Sequence, residues 1–234
     1  MKVRIKFSKC GALKFIGHLD VMRYFQKLMR RADIPIAYSE GFSPHQIMSF
    51  AMPLGIGDES IAEYVDIELN SYISSNDAIN RLNEKSVDEI RILSFKEIPE
   101  GKAYNAMSSI SAASYEIKIR DENKPEFDFE KAFYDLLDKE QVIVTKQSKK
   151  SENTLDIKPF IYEYNINGDV ISLLVSCGSV MNIKPELVIK AVFDSMNKEF
   201  DEYFITIKRT EMYTGVYNEK SFKDMGIDNV FVQD

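Results

Sequence analysis

The chain has 234 residues, which fits one large domain or two small domains, each able to bury its own core. Its hydrophobic share of 44% and charged share of 29% are those of an ordinary soluble globular protein, and its formal net charge is -7. No apolar run approaches the length of a membrane-spanning helix, and two cysteines are too few for an iron–sulfur cluster or a four-cysteine zinc site.

The first residues alternate between charged and apolar side chains, as a half-buried strand does, with Val3, Ile5 and Phe7 on the apolar side. This start lacks the apolar core of a signal peptide, so we expect a cytoplasmic protein that does not bind a membrane. Cys10 and Cys177 are far apart and have no ligand-spaced neighbours. We therefore expect both to be reduced, with no metal site and no cofactor in this chain.

The rest of the first half predicts two helices and three more strands. The helices are expected near 20–32 and 75–85, and the strands at 47–52, 62–69 and 90–95. With the first strand, the order is strand, helix, strand, strand, helix, strand. This is the order of the ferredoxin-like fold, in which both helices cover one face of an antiparallel sheet.

The second half repeats this order with one additional strand. The predicted elements are strand 115–120, helix 127–138, strand 142–145, polar loop 147–153, the hairpin strands 160–166 and 170–176, helix 185–196 and strand 203–209. The sequence thus predicts an α+β fold of two tandem ferredoxin-like (βαββαβ) units with antiparallel sheets. The expected divisions are an N-terminal domain (1–97), a linker (98–113), a C-terminal domain (114–213) and a tail (214–234).

The first predicted helix has an apolar side and a basic side. The carboxylate of Asp20 is expected to cap its first turn, and Ile34 and Pro35 end it, because a residue before proline avoids the helical region. At 100° per residue, one arc contains Val21, Met22, Phe25, Leu28, Met29 and Ala32. The opposite arc contains four cations, namely Arg23, Lys27, Arg30 and Arg31.

This basic helix lies in a basic part of an acidic chain. Residues 1–50 contain nine lysines and arginines and three acidic residues, a net charge of +6, so the remaining residues carry -13. A basic region on an acidic protein is typical of a surface that binds a polyanion. The same charges are also typical of a solvated helix that binds nothing.

Residues on either side of the helix are candidates for a site. His18 follows Gly17 at the helix start, where its imidazole can act as a general base near neutral pH, or can cap the helix or pack locally. The loop after the helix has aromatic, polar and glycine residues that suit close approach of a nucleotide, namely Tyr38, Ser39, Gly41, Phe42 and His45. The alternative for this loop is a bulged turn with Phe42 packed in the core.

A weaker candidate lies in the second half. The turn before the helix at Pro185 has free backbone donors, and Lys184 beside them suits an anion. This turn lacks the spacing of a P-loop.

Several residues together carry a resemblance to a known family. In the first half they are Phe7, Ser8, Gly17, His18, Leu19, Asp20, Arg30, Arg31, Pro35, Tyr38, Ser39, Gly41, Phe42, Pro44, Pro53, Gly55, Glu63 and Tyr64; weaker matches farther on are Asp156, Ile157, Lys158, Pro159, Gly178, Ser179, Lys184 and Pro185. With these residues the chain resembles the radical-SAM-linked proteins, a bacterial family of uncharacterised function. The resemblance implies a separate radical-SAM partner that carries its own iron–sulfur cluster. It assigns no catalytic residue.

We therefore expect a non-catalytic accessory module that binds structured RNA and works with a radical-SAM protein, with RNA modification as the process it serves. Its expected nucleic-acid contacts are Arg23, Lys27, Arg30, Arg31, Tyr38, Ser39, Gly41, Phe42, His45 and Lys184.

Two alternatives remain. A metal-independent endoribonuclease would use His18 as the general base, because paired ferredoxin-like units with a basic helix and a nearby histidine resemble the CRISPR repeat-processing endoribonucleases. A protein–protein adaptor would instead dock an acidic partner on the basic helix.

Overall fold

The structure is a computed structural model that describes residues 1–99, 101, 105–148, 151–217 and 223–225. The chain is a mixed α+β protein with mostly antiparallel strands and, within the described residues, five α-helices. It divides into two compact units, residues 1–111 with 209–234 and residues 112–208. The α+β class and the antiparallel pairing expected from the sequence are confirmed.

The helices and strands have the following bounds. They are β1 (Lys2–Lys9), α1 (His18–Arg31), β2 (Met48–Phe50), β3 (Glu59–Glu68), α2 (Ser75–Lys85), β4 (Ile92–Ile98), α3 (Ala106–Ser109), β5 (Ile110–Ile119), α4 (Phe129–Leu137), β6 (Ile143–Ser148), β7 (Ser151–Asp156), β8 (Ile161–Asn167), β9 (Val170–Ser176), α5 (Pro185–Ser195), β10 (Ile205–Thr214) and β11 (Lys223–Asp224). The first six elements follow the order predicted for the first half.

In the first unit, β1 is a central strand with antiparallel neighbours β4 and β3, and β2 pairs with β3. The register decides which side chains share a face. Phe7 lies opposite Glu63 and Ile5 opposite Val65, and directly opposite residues point to the same side. Phe7 packs against Phe25 of α1 with ring centroids 4.5 Å apart, so this side is the helix-covered face. The opposite face has Arg4, Lys6, Tyr64 and Asp66.

Strand β1 is covered on both faces, so the predicted half-buried strand is wrong. Arg4 is 8% exposed, and its guanidinium donates two hydrogen bonds to Asp66, at 2.8 and 3.0 Å. Asp66 also accepts the backbone N–H of Ala106 at 2.7 Å. The short helix α3 therefore begins against this face, which the alternation of charges along β1 did not show.

Helix α1 begins two residues earlier than predicted. Gly17 is its N-cap and has no side chain to offer, so the prediction that Asp20 is the N-cap is wrong. Asp20 lies within the first turn, where its negative charge still favours the helix dipole. At the other end Asp33 adopts a φ of 50°, and the N–H of Ile34 bonds to the carbonyl oxygen of Met29 at 3.0 Å. This is a Schellman-type end, and it stops the helix before Pro35.

In the second unit the strand order is β10, β5, β9, β8, and β6 and β7 form a separate two-stranded sheet. The polar loop predicted at 147–153 is wrong, because β6 and β7 pair from Ile143 opposite Asp156 to Ser148 opposite Ser151. A hairpin needs only backbone hydrogen bonds, so polar side chains do not prevent it. Residues 149 and 150 lie outside the described part of the chain.

The domain divisions expected from the sequence remain a prediction, because a compact unit does not necessarily fold independently. The compact units divide within β5, after Ser111, and within β10, after Lys208. Residues 100 and 102–104 of the predicted linker, and 218–222 and 226–234 of the predicted tail, lie outside the described residues. In the described part of the tail, β11 pairs with β10, and Met225 is 5% exposed.

Candidate nucleic-acid interface and a buried ionic cluster

The basic side of α1 is exposed, as its periodicity predicts. Arg23 pairs with Asp20 one turn earlier at 3.2 Å, in a solvated contact. Arg30 donates from Nε to the carbonyl oxygen of Gln26 at 3.2 Å. In the described part of the chain no carboxylate lies within ion-pairing distance of the remaining helix cations, Lys27, Arg30 and Arg31. These three positive charges thus face solvent without neutralisation.

Arg31 is held in place by two contacts that leave its charge unpaired. Its Nη2 donates to the carbonyl oxygen of Lys85 at 3.3 Å, and its guanidinium lies 5.7 Å from the ring centroid of Tyr24. A guanidinium that stacks on a ring loses little further rotamer entropy when it binds a phosphate. The α1 surface is accordingly partly preorganised.

The charge of +6 counted over residues 1–50 overstates the exposed positive charge. Four of the nine cations in that stretch form ion pairs with carboxylates that lie outside it in the sequence. These pairs are Lys2 with Glu68, Arg4 with Asp66, Lys6 with Glu211 and Lys14 with Glu59. A fifth cation, Lys9, is buried. The exposed positive charge of residues 1–50 is therefore confined to the four cations of α1.

The loop after α1 is closed by a serine and a histidine. The N–H of Ser39 donates to the carbonyl oxygen of His45 at 2.8 Å, and the N–H of His45 donates to Ser39 Oγ at 3.1 Å. Ser39 Oγ also lies 2.9 Å from His45 Nδ1. These three contacts between Ser39 and His45 hold the two ends of the loop together.

Phe42 lies fully in solvent, so the alternative that it packs in the core is wrong. Gly41 beside it has a φ of 105°, a conformation that side-chain-bearing residues rarely adopt. An entirely exposed phenylalanine on a closed loop costs solubility and is typical of a contact for a ring or an apolar partner.

Gln46 connects this loop with the basic helix. Its Nε2 donates to the carbonyl oxygen of Gln26 at 3.2 Å and to the hydroxyl of Tyr38 at 3.3 Å. The same oxygen of Gln26 accepts the bond from Arg30. The structure therefore brings Arg30 and Tyr38 to one place. Lys184 lies in the second unit as the N-cap of α5, and its share in the surface stays a prediction.

His18 is the first residue of α1, and its ring edge meets Phe50 with centroids 5.4 Å apart. It lines a cavity of about 20 Å³. Burial lowers the pKa of His18, and the negative charge of Glu63 opposes this shift without cancelling it. The imidazole is therefore mostly neutral at pH 7, packed on one side and accessible to the cavity on the other.

A buried ion pair lies beside this cavity. Arg209 is 1% exposed and donates from Nε and Nη2 to the same oxygen of Glu63, at 3.1 and 2.5 Å. Its Nη2 also donates to the carbonyl oxygen of Met52 at 2.8 Å. The pair thus connects β10 with β3 and with the segment after β2, and it belongs to the first unit.

Lys9 completes the buried ionic cluster, which we define as Lys9, Glu63 and Arg209. Its residue exposure is 3%, and its Nζ donates to the carbonyl oxygen of Lys14 at 3.4 Å. Burial lowers the pKa of Lys9; the charges of Glu63 and Asp58 raise it, and Arg209 lowers it further. Burial is the largest of these effects.

Sequence reasoning did not predict this cluster, although Glu63 is among the residues that carry the family resemblance. One signal was present: Lys9 continues the period of Val3, Ile5 and Phe7, so it falls on their buried face. Glu63 and Arg209 gave no local signal, because they are 146 positions apart.

The described residues contain neither a membrane-spanning helix nor a cluster of metal-binding side chains. No helix there is both long and apolar enough to cross a bilayer. No group of three or more His, Cys, Asp or Glu side chains is placed to hold a metal ion.

These features define a class of protein: mixed α+β, with two compact units, an exposed basic helix and an internal ionic cluster. The chain belongs to the DUF2344 family, described as an uncharacterized protein conserved in bacteria, whose model matches residues 2–185. No curated protein matches the chain.

Proposed function

We propose that this protein is a non-catalytic module that binds structured RNA through α1 and the loop at residues 38–45. The observation that carries the proposal is a bridge made by Gln46, whose Nε2 donates both to the Tyr38 hydroxyl and to the Gln26 carbonyl oxygen that also accepts from Arg30. This contact places unneutralised cations beside exposed aromatic rings. Cations bind phosphates without regard to sequence, and aromatic rings stack on unpaired bases.

Each part of the surface has its own role. Lys27, Arg30 and Arg31 contact the phosphate backbone, and Arg23 joins them by exchanging its exposed partner Asp20 for a phosphate. Phe42 and Tyr38 stack on bases in a loop or bulge of the RNA. His45 is exposed, and its Nε2 is the ring nitrogen that hydrogen-bonds the RNA.

The wider assignment is also a proposal. The module works beside a separate radical-SAM protein in the cytoplasm, because the residues quoted above resemble radical-SAM-linked proteins and two cysteines cannot bind a cluster. Both halves adopt ferredoxin-like topology in this proposal. The element order of the first six elements and the β4, β1, β3, β2 neighbours support it for the first unit.

Charge reversal on α1 tests the RNA proposal. We expect the triple variant Lys27→Glu, Arg30→Glu and Arg31→Glu to bind structured RNA at least about tenfold more weakly near 0.1 M salt, with a shallower salt dependence, since phosphate contacts are lost. The measurement is a filter-binding or fluorescence titration at several salt concentrations, using RNA copurified from the native cell.

The matched control changes the net charge by the same amount elsewhere. Three exposed lysines of the second unit serve, in the variant Lys131→Glu, Lys139→Glu and Lys198→Glu. We expect this control to keep most of the affinity. Equal losses in both variants, or affinity that does not change with salt, would reject the RNA surface on α1. Partner capture that survives nuclease treatment but is lost in the α1 variant would indicate the protein adaptor.

A second candidate, the metal-independent endoribonuclease, is favoured by one observation: His18 is a mostly neutral base on a cavity beside Lys9. Such a histidine can take the proton of a ribose 2′-hydroxyl while a cation stabilises the phosphorane. We expect no cleavage of bound RNA in EDTA. Cleavage that disappears in His18→Asn would reject the non-catalytic module and support the endoribonuclease. Cleavage that is unaffected by His18→Asn would indicate a contaminating nuclease.

A further inference from the structure

The second unit has a cavity of about 240 Å³ with an apolar floor. Three isoleucines from three different strands line it: Ile119 ends β5, Ile166 lies on β8 and Ile171 lies on β9. Ile166 is paired directly with Ile171, and directly opposite residues point to the same side of a sheet. Ile119 and Ile166 are only half-buried. Apolar surface is therefore left open at this end of the sheet.

Two phenylalanine rings form a wall of this cavity. Phe127 lies just before α4 and Phe129 is its first residue, and their ring centroids are 6.3 Å apart. Both rings contact Phe193 of α5, at centroid distances of 5.4 and 6.0 Å. Phe193 is 3% exposed, so it holds the two half-buried rings in place. The aromatic wall is therefore formed before any ligand enters, as is usual in small-molecule sites.

The rim of the cavity is acidic. The charged residues of its lining are Lys124, Glu130 and Asp169, all exposed. Lys124 Nζ is already occupied, at 2.9 Å from Asp121 and 3.7 Å from Asp169. In the described part of the chain no lysine or arginine lies within ion-pairing distance of Glu130. Residues 121–130 contain five carboxylates and one lysine, a net charge of -4, so this rim attracts a cation and repels an anion.

We propose that this cavity binds a small aromatic ammonium ion, with one ring and one positively charged nitrogen. The ligand ring covers the three isoleucines, and the nitrogen lies between the aromatic wall and the carboxylate of Glu130. The negative face of a phenylalanine ring attracts a cation, most strongly where water is excluded. Since a cavity of about 150 Å³ holds benzene, one of about 240 Å³ holds a ring with a small substituent. This site goes beyond the RNA surface and does not depend on it.

The test is a titration of the intact protein with benzyltrimethylammonium chloride, measured by calorimetry and by NMR of the isoleucine methyl groups. We expect saturable binding with a Kd of about 1 mM or lower, and methyl shifts at Ile119, Ile166 and Ile171. Benzyl alcohol and benzoate, the neutral and anionic probes, should bind at least about tenfold more weakly, because they lack the positive charge. Equal binding of all three probes, shifts confined to other isoleucines, or no saturable binding of the cation would overturn the proposal.

A larger cation separates the cavity from the open acidic surface around it. Tetrabutylammonium has the same charge as benzyltrimethylammonium and more apolar surface, but its four butyl chains are too large for the cavity. We expect it to bind at least about tenfold more weakly than benzyltrimethylammonium, because it cannot enter. If tetrabutylammonium binds as tightly or more tightly, the cations are held by surface charge alone and the cavity is rejected as the site.

Two conservative variants test the contacts of the charged nitrogen. We expect Glu130→Gln and Phe129→Leu each to weaken benzyltrimethylammonium binding about three- to fivefold, since one removes an exposed charge and the other a ring. Glu199→Gln is the matched control, because Glu199 is an exposed carboxylate of the same unit that does not line the cavity, and its affinity should not change. Unchanged affinity in both cavity variants would overturn the proposal. The α1 variant designed against RNA binding should still show the methyl shifts, so the two proposals fail separately.

Discussion

Replacing Arg209 by methionine should lower the free energy of unfolding by about 3–5 kcal/mol, the cost of leaving one member of a buried pair without its partner. The guanidinium is 1% exposed and satisfies both Glu63 and the carbonyl oxygen of Met52. Methionine has a similar volume but no donor, so Glu63 would remain buried beside Lys9 with its main partner lost. Urea unfolding followed by circular dichroism measures the change.

Two control variants test whether the loss of stability comes from the buried ion pair. Arg81 pairs with Asp77 at 2.7 Å on the surface of α2, both side chains being 46% exposed, and Arg81→Met should cost no more than about 0.5 kcal/mol. The double variant Arg209→Met with Glu63→Leu should recover much of the loss, because the carboxylate of Glu63 is then not left buried without the guanidinium. A loss below about 1 kcal/mol in Arg209→Met would mean that water reaches Glu63 and that the cluster is not buried.

Replacing Phe25 by alanine should lower the free energy of unfolding by about 3–5 kcal/mol, because it removes a buried ring and leaves a cavity. Phe25 is 0% exposed and packs against Phe7 and Phe50, at centroid distances of 4.5 and 5.5 Å. These contacts hold α1 on the sheet next to the cavity at His18. Thermal or urea unfolding of the variant tests the expectation.

Phe42→Ala is the matched control, since it removes the same ring from a fully exposed position. We expect a change in unfolding free energy within about 0.5 kcal/mol, together with weaker RNA binding. A large loss of stability in Phe42→Ala would contradict the solvent position of this ring. Unchanged RNA affinity would remove Phe42 from the proposed interface.

Much of the first unit could be predicted from local patterns. The apolar stripe of α1 predicted Val21, Phe25, Leu28 and Met29 as its buried side, and all four are buried. The same periodicity placed Lys27, Arg30 and Arg31 on the exposed side. The prediction works because a helix repeats every 3.6 residues whatever its surroundings.

Predictions about the contacts and exposure of charged side chains were less successful. Asp20 was expected to be the N-cap of α1, but Gly17 is the N-cap. A helix can begin at a residue that makes no side-chain capping hydrogen bond. The charges on β1 were expected to face solvent, but Arg4 is covered because Ala106 approaches Asp66 from a distant part of the chain.

The sequence by itself determined the α+β class, the order of the first six elements and the two sides of α1, since these depend on the spacing of residues near one another in the chain. Only the tertiary structure decided that Lys9, Glu63 and Arg209 form one buried cluster, that Phe42 is exposed and that Gln46 bridges Tyr38 to the basic helix. Ion pairs and exposure depend on which distant segments come together. Local spacing does not encode this information.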